Sequence, residues 1–600
     1  MKNILFVLLA LIVSCGGPEK RKKEKVEDLP PAKTPDTKIQ APVAKVEVKK
    51  EVKSGSELAM EDLKKLLERF VKVELPFEKA DLKEDAKPVL KKLMEAAKIM
   101  DELFLIQVSR DNPSVRKEIA EKAATDPKMA LVLELFDLMA GPWDRLNHHK
   151  PFYGTARKKS GAGFYDPKLT SKQFKLHIAS LEQGIKNEKD AKIRTTLSEE
   201  LGALKSEYTV VDRINGKYVA TPYSRVYFEK LSRAADLLDS AAKMTSDVTL
   251  AAFLTNRAKA FRDNNYRLSD ENWVDLAGDI DFVIGPYEVY EDGLMGYKAS
   301  FTSFLSLVDK KSTASLDTIK KHTVQMDKNL PYDQKHAGGK GASRPLKVVN
   351  LLYSAGDTKA GVQTLAFVLP NDQEVRRKKG FKIVLLKNVA HAKFDRILKP
   401  ISDMLIHKDV VSRVNFDSFF NHTLVHEVTH SLGPNSALVD GKPQDIRRIL
   451  KDHYSALEEA KADIGGLLGV EYLVQKKVFP AQAIEQSYAT FVASIFRSVR
   501  FGTAEAHGKA NLMAFNWFVK AGAVTFDNAT QTFKIDFRKM SAAARLFTKE
   551  ILDIYISGNY NKAAEFIDKW GKVSPLLRKT LERLKEIPVD IRPIFPLEKM

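Results

Sequence analysis

"NHTLVHEVTHSLGP", residues 421–434, carries three histidines, His422, His426 and His430, and a glutamate, Glu427. Asn415 or Asp417 can cap a helix start, and Gly433-Pro434 is a helix stop. Between them Phe420, Leu424 and Val428 recur every four residues, which predicts a buried stripe. The histidines are offset from that stripe by two positions, roughly 200° around the helix. His426 and His430 therefore project together, one turn apart, the spacing at which two imidazole nitrogens meet one tetrahedral zinc. Glu427 is next to them, placed to take a proton from a water that the ion activates. His422 shares the face but lies a turn too early to reach the same ion. It reads as a cleft-lining residue, a residue that orients a ligand, or a structural histidine.

Two histidines leave zinc short of one protein ligand. The next acidic cluster lies in "YSALEEAKADIGGLLG", residues 454–469, where Leu457, Ile464, Leu467 and Leu468 predict a second amphipathic helix. Glu458, Glu459 and Asp463 crowd one turn of it. A carboxylate some 30 residues after HExxH, on another helix, is a zincin arrangement with an acidic third ligand. Glu459 and Asp463 share a face, so one can bind zinc while the other orients a ligating imidazole through its second nitrogen. A solvated acidic surface is the competing reading of "EEAKAD". From the residues alone the chemistry is that of a zinc metallohydrolase.

The chain begins "MKNILFVLLALIVSCGG". Lys2 and the apolar run Ile4 to Val13 fit a secretory signal and are too short to span a bilayer. Cys15, the only cysteine of 600 residues, follows at the place where a lipobox has its lipidated cysteine. Residues 1–14 are thus expected as a lipoprotein signal peptide. Residues 15–55, with five prolines and no aromatic residue, are expected as a lipid-anchored disordered linker. The expected location is the bacterial cell envelope, at the outer membrane, because Gly16 is not an acidic retention signal. With no second thiol there is no disulfide, and stability must come from a large core.

From residue 56 on, the sequence reads as α+β and mostly helical. Helical periods run through "ELAMEDLKKLLERFVKVEL" (57–75) and recur at 87–108, 115–140, 172–206 and 225–262. Strand-like runs sit at 347–355, 363–370 and 381–389. The expected divisions are a helix-rich lobe at 56–310, a mixed β segment at 311–400, a helical zinc-binding lobe at 401–575 and a C-terminal tail at 576–600. Net charge is +19, yet no zinc-finger spacing, RNA-recognition signature or Walker loop accompanies it. The glycines of 336–343 lack phosphate-loop spacing, so no nucleic-acid partner is expected and the basic surface reads as solvated.

"HEVTHSLGP" followed by "EEAKAD" resembles the dipeptidyl peptidase III family of zinc exopeptidases, its bacterial branch most closely. "LMAGPWDRLNHHKPF" (138–152), "FVIGPYEVYEDGLMGYKASF" (282–301), "AFVLPNDQEVRRKKGFKIVLLKNV" (366–389) and "FRSVRFGTAEAHGKAN" (496–511) look like the same family. The resemblance implies two lobes around a wide cleft, the zinc on a helical lobe and a small β-sheet or barrel in the other. It implies one zinc per chain, held by His426, His430 and Glu459, with Glu458 and Asp463 behind the histidines. Glu427 matches the general base. Tyr290 and His507 match groups that face the reacting carbonyl. Glu288 and Asn371 match residues that bind the peptide's amino-terminal end. The chain departs from many members in having HExxH where they have HExxxH, Val368 where they have a second substrate asparagine, and Asn511 where they have an arginine.

The implied activity is release of dipeptides from the amino terminus of oligopeptides. The alternatives are a zinc hydrolase with another register, a tripeptidase or endopeptidase, and a catalytically inactive peptide-binding surface lipoprotein. An intact base at Glu427 argues against the last.

Overall fold

The computed structural model describes residues 58–77, 86–338, 346–500, 502 and 505–599. The signal peptide, Cys15 and the 15–55 linker lie outside the described residues, as does most of the glycine loop. No helix among the described residues is long and apolar enough to cross a membrane.

The architecture is α+β and mostly helical, with one mixed five-stranded sheet: β1 (Ile280–Glu288), β2 (Ser300–Val308), β3 (Leu346–Gly356), β4 (Ala366–Leu369) and β5 (Lys382–Leu386). The spatial order is β1-β2-β3-β5-β4. β1–β2, β2–β3 and β5–β4 are antiparallel, while β3–β5 is parallel. Every residue of β1 and β2 except the last is buried, so both faces of this hairpin are covered. One cover is helix α1 (Ala86–Val108), whose Gln107 donates to the Ala299 carbonyl and accepts from the Phe301 amide. Gly285, inside β1, sits at φ +150°, and a Cβ there would come 2.3 Å from an Arg257 guanidinium nitrogen. That guanidinium is fully buried and bonds the Ile284 carbonyl and Asp270.

The second lobe is helical. Its elements are α2 (Thr323–Asn329), α3 (Phe416–Thr429), α4 (Tyr454–Gln475), α5 (Ala483–Val499), α6 (Ala506–Lys520) and α7 (Phe537–Ser557). α4 is its axis, buried at every residue from Ala456 to Leu473. "EEAKAD" is therefore interior, not a solvated face.

The expected divisions need correction. The boundary at 310 falls where the helix Lys310–Lys320 begins the connection between β2 and β3, and so divides one sheet. The boundary at 400 falls inside the helix Lys399–Leu405, which continues the helical run begun at Lys387. Residues 576–600 are not a tail. Asp590–Ile594 pairs in parallel with Phe70–Glu74, and Asp590 accepts from Gln363 N at 2.7 Å and pairs with Lys393. The same pairing follows directly on the first helix, which ends at Glu68, so Phe70 is the first residue of a strand and not part of a helical period.

Candidate active site

α3 begins as its residues predict: the Asn415 side chain accepts from the Ser418 amide at 2.9 Å. It ends at Thr429, and the turn beyond is fixed by Asp327, which accepts from the Gly433 amide at 2.7 Å. The apolar stripe Phe420, Leu424 and Val428 is buried, but so are Val425, His426 and Glu427. The helix is covered on both faces, the histidine face by α4.

Glycines allow that cover to come close. A Cβ on Gly466 would lie 3.3 Å from His422 Nε2 and 3.5 Å from the His426 amide, and one on Gly469 would lie 2.7 Å from Val425 Cγ1. Close approach lets the short acidic side chains of α4 reach the imidazoles of α3. His426 Nδ1 is 2.8 Å from Asp463 Oδ1, and His430 Nδ1 is 2.9 Å from Glu458 Oε1. A carboxylate only accepts, so each Nδ1 carries the proton and each Nε2 presents a lone pair.

Those lone pairs converge. His426 Nε2 and His430 Nε2 are 3.1 Å apart, and Glu459 Oε2 lies 3.4 Å from the first and 3.6 Å from the second. A tetrahedron with zinc-ligand bonds of about 2.1 Å has edges of about 3.4 Å. Three acceptor atoms at tetrahedral-edge spacing in a buried place call for a cation between them, and the donor set, two imidazoles and one carboxylate, suits zinc. The next residue on α3, Glu427, is 1% exposed, and neither of its carboxylate oxygens meets a donor among the described residues. Its oxygens are therefore free to take a proton.

Glu458 anchors more than His430. Its Oε1 also accepts from Lys461 Nζ at 2.9 Å, and its Oε2 from the Tyr555 hydroxyl of α7 at 2.9 Å. Burial alone would raise the Glu458 carboxyl, but the Lys461 ammonium and the His430 imidazole outweigh it and hold the carboxyl well below its usual range. Lys461, 2% exposed, donates as well to the Leu432 carbonyl at 2.9 Å and lies 3.5 Å from that of His430. Asp463 is steadied by Asn511, whose amide nitrogen is 3.2 Å from Asp463 Oδ2 and 3.0 Å from the His507 carbonyl. His507 turns its Nδ1 to Glu459 Oε2 at 3.2 Å. His422 bonds the Asp463 backbone carbonyl through Nε2 at 2.8 Å, and its ring packs on Phe491. Burial lowers its pKa, so the neutral ring acts as an interhelical donor.

Lys461, Tyr555 and the service of Asn511 to Asp463 are not legible in the sequence. Lys461 stands inside "EEAKAD", where a lysine among acids reads as surface. Nothing in the sequence ties Tyr555 to Glu458, 97 residues earlier.

Glu288, Tyr290 and Asn371 gather on the sheet. Glu288 ends β1, and burial pushes its carboxyl up to about 7. Asn371, just past β4, donates to the Tyr287 carbonyl at 2.8 Å, which sets its amide beside Glu288. Tyr290 is 38% exposed. Its hydroxyl is raised by partial burial and by the Glu288 and Asp357 carboxylates. No hydrogen bond or ion pair among the described residues joins Glu288, Tyr290 or Asn371 to the histidine cluster, as expected of groups on two lobes.

A family model described as Peptidase family M49 matches residues 166–433, which includes all of HExxH and stops before Glu458. Among solved structures, that of DPP III from Caldithrix abyssi superposes with a TM-score of 0.83 at 41% identity, covering 89% of this chain and 99% of that one. Dipeptidyl-peptidase III from Corallococcus sp. strain EGB superposes with a TM-score of 0.72 at 38% identity, covering 90% and 98%. A curated relative, Nudix hydrolase 3 of Arabidopsis thaliana, is 34% identical over 572 residues, 89% of this chain and 74% of the plant protein.

Proposed function

The chain belongs to peptidase family M49 and is an enzyme of the dipeptidyl-peptidase type, and from that premise we propose that it releases dipeptides from the amino terminus of oligopeptides, using one zinc ion held by His426, His430 and Glu459. The observation that carries this reading is the convergence of two lone-pair nitrogens and one carboxylate oxygen at 3.1–3.6 Å, next to the unbonded carboxylate of Glu427.

Zinc bound there supplies Lewis-acid activation of water and of the scissile carbonyl. Glu427 takes the water's proton and returns it to the leaving amine. Tyr290 and His507 donate to the oxygen on which negative charge develops. Asp463 and Glu458 keep the two imidazoles in the tautomer that ligation needs. Glu288 receives the substrate's ammonium, and Asn371 borders the same place. Among the described residues strand β4 pairs with β5 alone, so the other side of its backbone is an edge along which an extended peptide can lie. Closure of the lobes would bring the two groups of residues onto one peptide and exclude water.

We also place the enzyme at the bacterial cell envelope, tethered through a lipid on Cys15. The support is the apolar run Ile4–Val13, followed after Ser14 by the chain's one cysteine.

Paired peptides test the register. A free tetra- to octapeptide should lose its first two residues, and the same peptide with an acetylated amine should be cut far more slowly, because Glu288 is left without a partner. Equal cleavage of both at internal bonds would make the enzyme an endopeptidase, and release of three residues a tripeptidase.

A further inference from the structure

Tyr290 has to hold its hydroxyl at one point in space, yet the side chain is exposed and the hydroxyl has no hydrogen-bond partner among the described residues. Its place is set by the chain on either side. The Asp292 amide bonds the Val289 carbonyl at 3.2 Å and closes a turn with Tyr290 in it. The next two residues, Glu291 and Asp292, are buried. Asp292 accepts from the Tyr165 hydroxyl at 2.7 Å and from the amides of Leu294, Met295, Tyr297 and Lys298 at 2.8–3.0 Å, which folds the far side of the turn onto itself.

Glu291 ties the turn to the rest of the lobe. Arg145 Nη1 lies 2.9 Å from its Oε2, and Lys158 Nζ lies 2.6 Å from its Oε1. Burial alone would raise the Glu291 carboxyl, but the two cations outweigh it and hold it at about 2, so it is ionised near neutral pH. The cations are themselves held. Arg145 Nε donates to the Met139 carbonyl at 2.7 Å, and the guanidinium carbon lies 5.4 Å from the ring centre of Phe104 on α1. Lys158 belongs to the segment on which the turn rests, where a Cβ on Gly293 would lie 3.1 Å from the Ser160 carbonyl oxygen. A carboxylate between two cations on separate stretches of chain cannot shift without stretching one of the pairs.

We infer that Arg145 and Lys158 are positioning residues for the reaction: through Glu291 they fix the turn that carries Tyr290, and so hold its hydroxyl where charge develops on the scissile carbonyl. The inference rests on the part given to Tyr290 in the reaction proposed above. A donor aimed before the reaction starts stabilises the transition state without reorganising, and a displacement of about 1 Å can cost about 10²-fold in rate.

A double-mutant cycle tests this, because positioning matters only while there is a hydroxyl to position. The zinc-loaded protein is assayed on one free-amine hexapeptide with Arg145→Met, Tyr290→Phe and both. Tyr290→Phe should lower kcat about 10²- to 10³-fold. Arg145→Met should lower kcat about ten- to a hundred-fold while KM changes less than about three-fold. In the Tyr290→Phe background the same change should lower kcat less than about two-fold. Arg145→Lys, which retains a cation for Glu291, should regain most of the loss. Amide hydrogen exchange across residues 289–293 should quicken in Arg145→Met and not in Tyr290→Phe. If Arg145→Met does not fold, as judged by zinc content and Tm, Lys158→Met leaves Arg145 and Glu291 paired one to one and carries the same cycle, with an expected loss of about three- to ten-fold. Equal losses in both backgrounds, a loss confined to KM, or unchanged exchange overturns the inference and leaves the reading of Tyr290 standing. Unchanged kcat in Tyr290→Phe alone removes that reading and the inference with it.

Discussion

Lys461 and Glu458, one turn apart on α4, are bonded at 2.9 Å, and the same ammonium holds the Leu432 carbonyl at the exit of α3, also at 2.9 Å. One buried cation thus fixes the carboxylate that orients His430 and the turn that follows His430. Lys461→Met leaves Glu458 without its cation and the carbonyl without its donor. The expected outcome is a ten- to hundred-fold loss of zinc affinity in competition with a chelator, together with a lower Tm. Lys461→Arg should retain most of the affinity. Unchanged affinity in Lys461→Met would show that the pair has no part in holding the metal site.

Glycine in mid-helix ordinarily costs about 1 kcal/mol relative to alanine, so Gly→Ala is stabilising where there is room. A Cβ on Gly202, in the helix Ala191–Lys205, would meet nothing within 4 Å, whereas one on Gly469 would meet Val425 Cγ1 at 2.7 Å and Met326 Cε at 2.9 Å. Gly202→Ala should raise stability by up to about 1 kcal/mol, and Gly469→Ala should lower it by about 1–3 kcal/mol through overpacking. Thermal unfolding of the two variants measures the contrast. A Gly469→Ala protein as stable as the parent would mean that α3 and α4 need not lie so close.

Burial raises the Glu288 carboxyl to about 7, so below that pH the neutral acid dominates and the ammonium has no anion to meet. kcat/KM for a free-amine peptide should climb as pH rises through about 7, then fall as the substrate amine deprotonates near pH 8. In Glu288→Gln the rise near neutrality should disappear and the maximum should drop. A pH-rate profile with the same acid limb in both proteins would assign that limb to another group.

The most legible part of the fold is the part whose periodicity and end signals agree. α3 has a cap, a four-residue apolar spacing and a Gly-Pro stop, and its observed span follows them. The strands β3, β4 and β5 are visible as β-branched runs. The hairpin β1–β2, the longest pairing of the sheet, does not announce itself. Gly285 and Pro286 interrupt β1 in sequence, and only the structure shows that the glycine makes room for Arg257. β2 is rich in serine, and its Ser303 hydroxyl is accommodated by a bond to the Val283 carbonyl that no local pattern reveals. The histidine cluster is legible because HExxH is local. The three carboxylates of α4 can be named but not assigned from spacing, since which of Glu458 and Glu459 faces the histidines' Nε2 atoms depends on how the two helices cross. The C-terminal strand is hidden because its partner lies over 500 residues away, at Phe70–Glu74.

Cys15→Ser removes the thiol to which a lipid would be attached. The variant expressed in bacteria should not incorporate labelled fatty acid and should leave the membrane fraction. Continued labelling and membrane fractionation would place the anchor elsewhere.

The most direct measurement is zinc content and peptide turnover of the same Glu427→Ala preparation. Glu427 touches none of the three converging atoms through a hydrogen bond, and its own oxygens meet no donor among the described residues. The expected result is close to one zinc per chain, as in the parent, with turnover reduced about 10²- to 10⁴-fold, since only the proton acceptor is gone. Full zinc with near-normal turnover would contradict the assignment of Glu427 as the base and, with it, the proposed chemistry of the site.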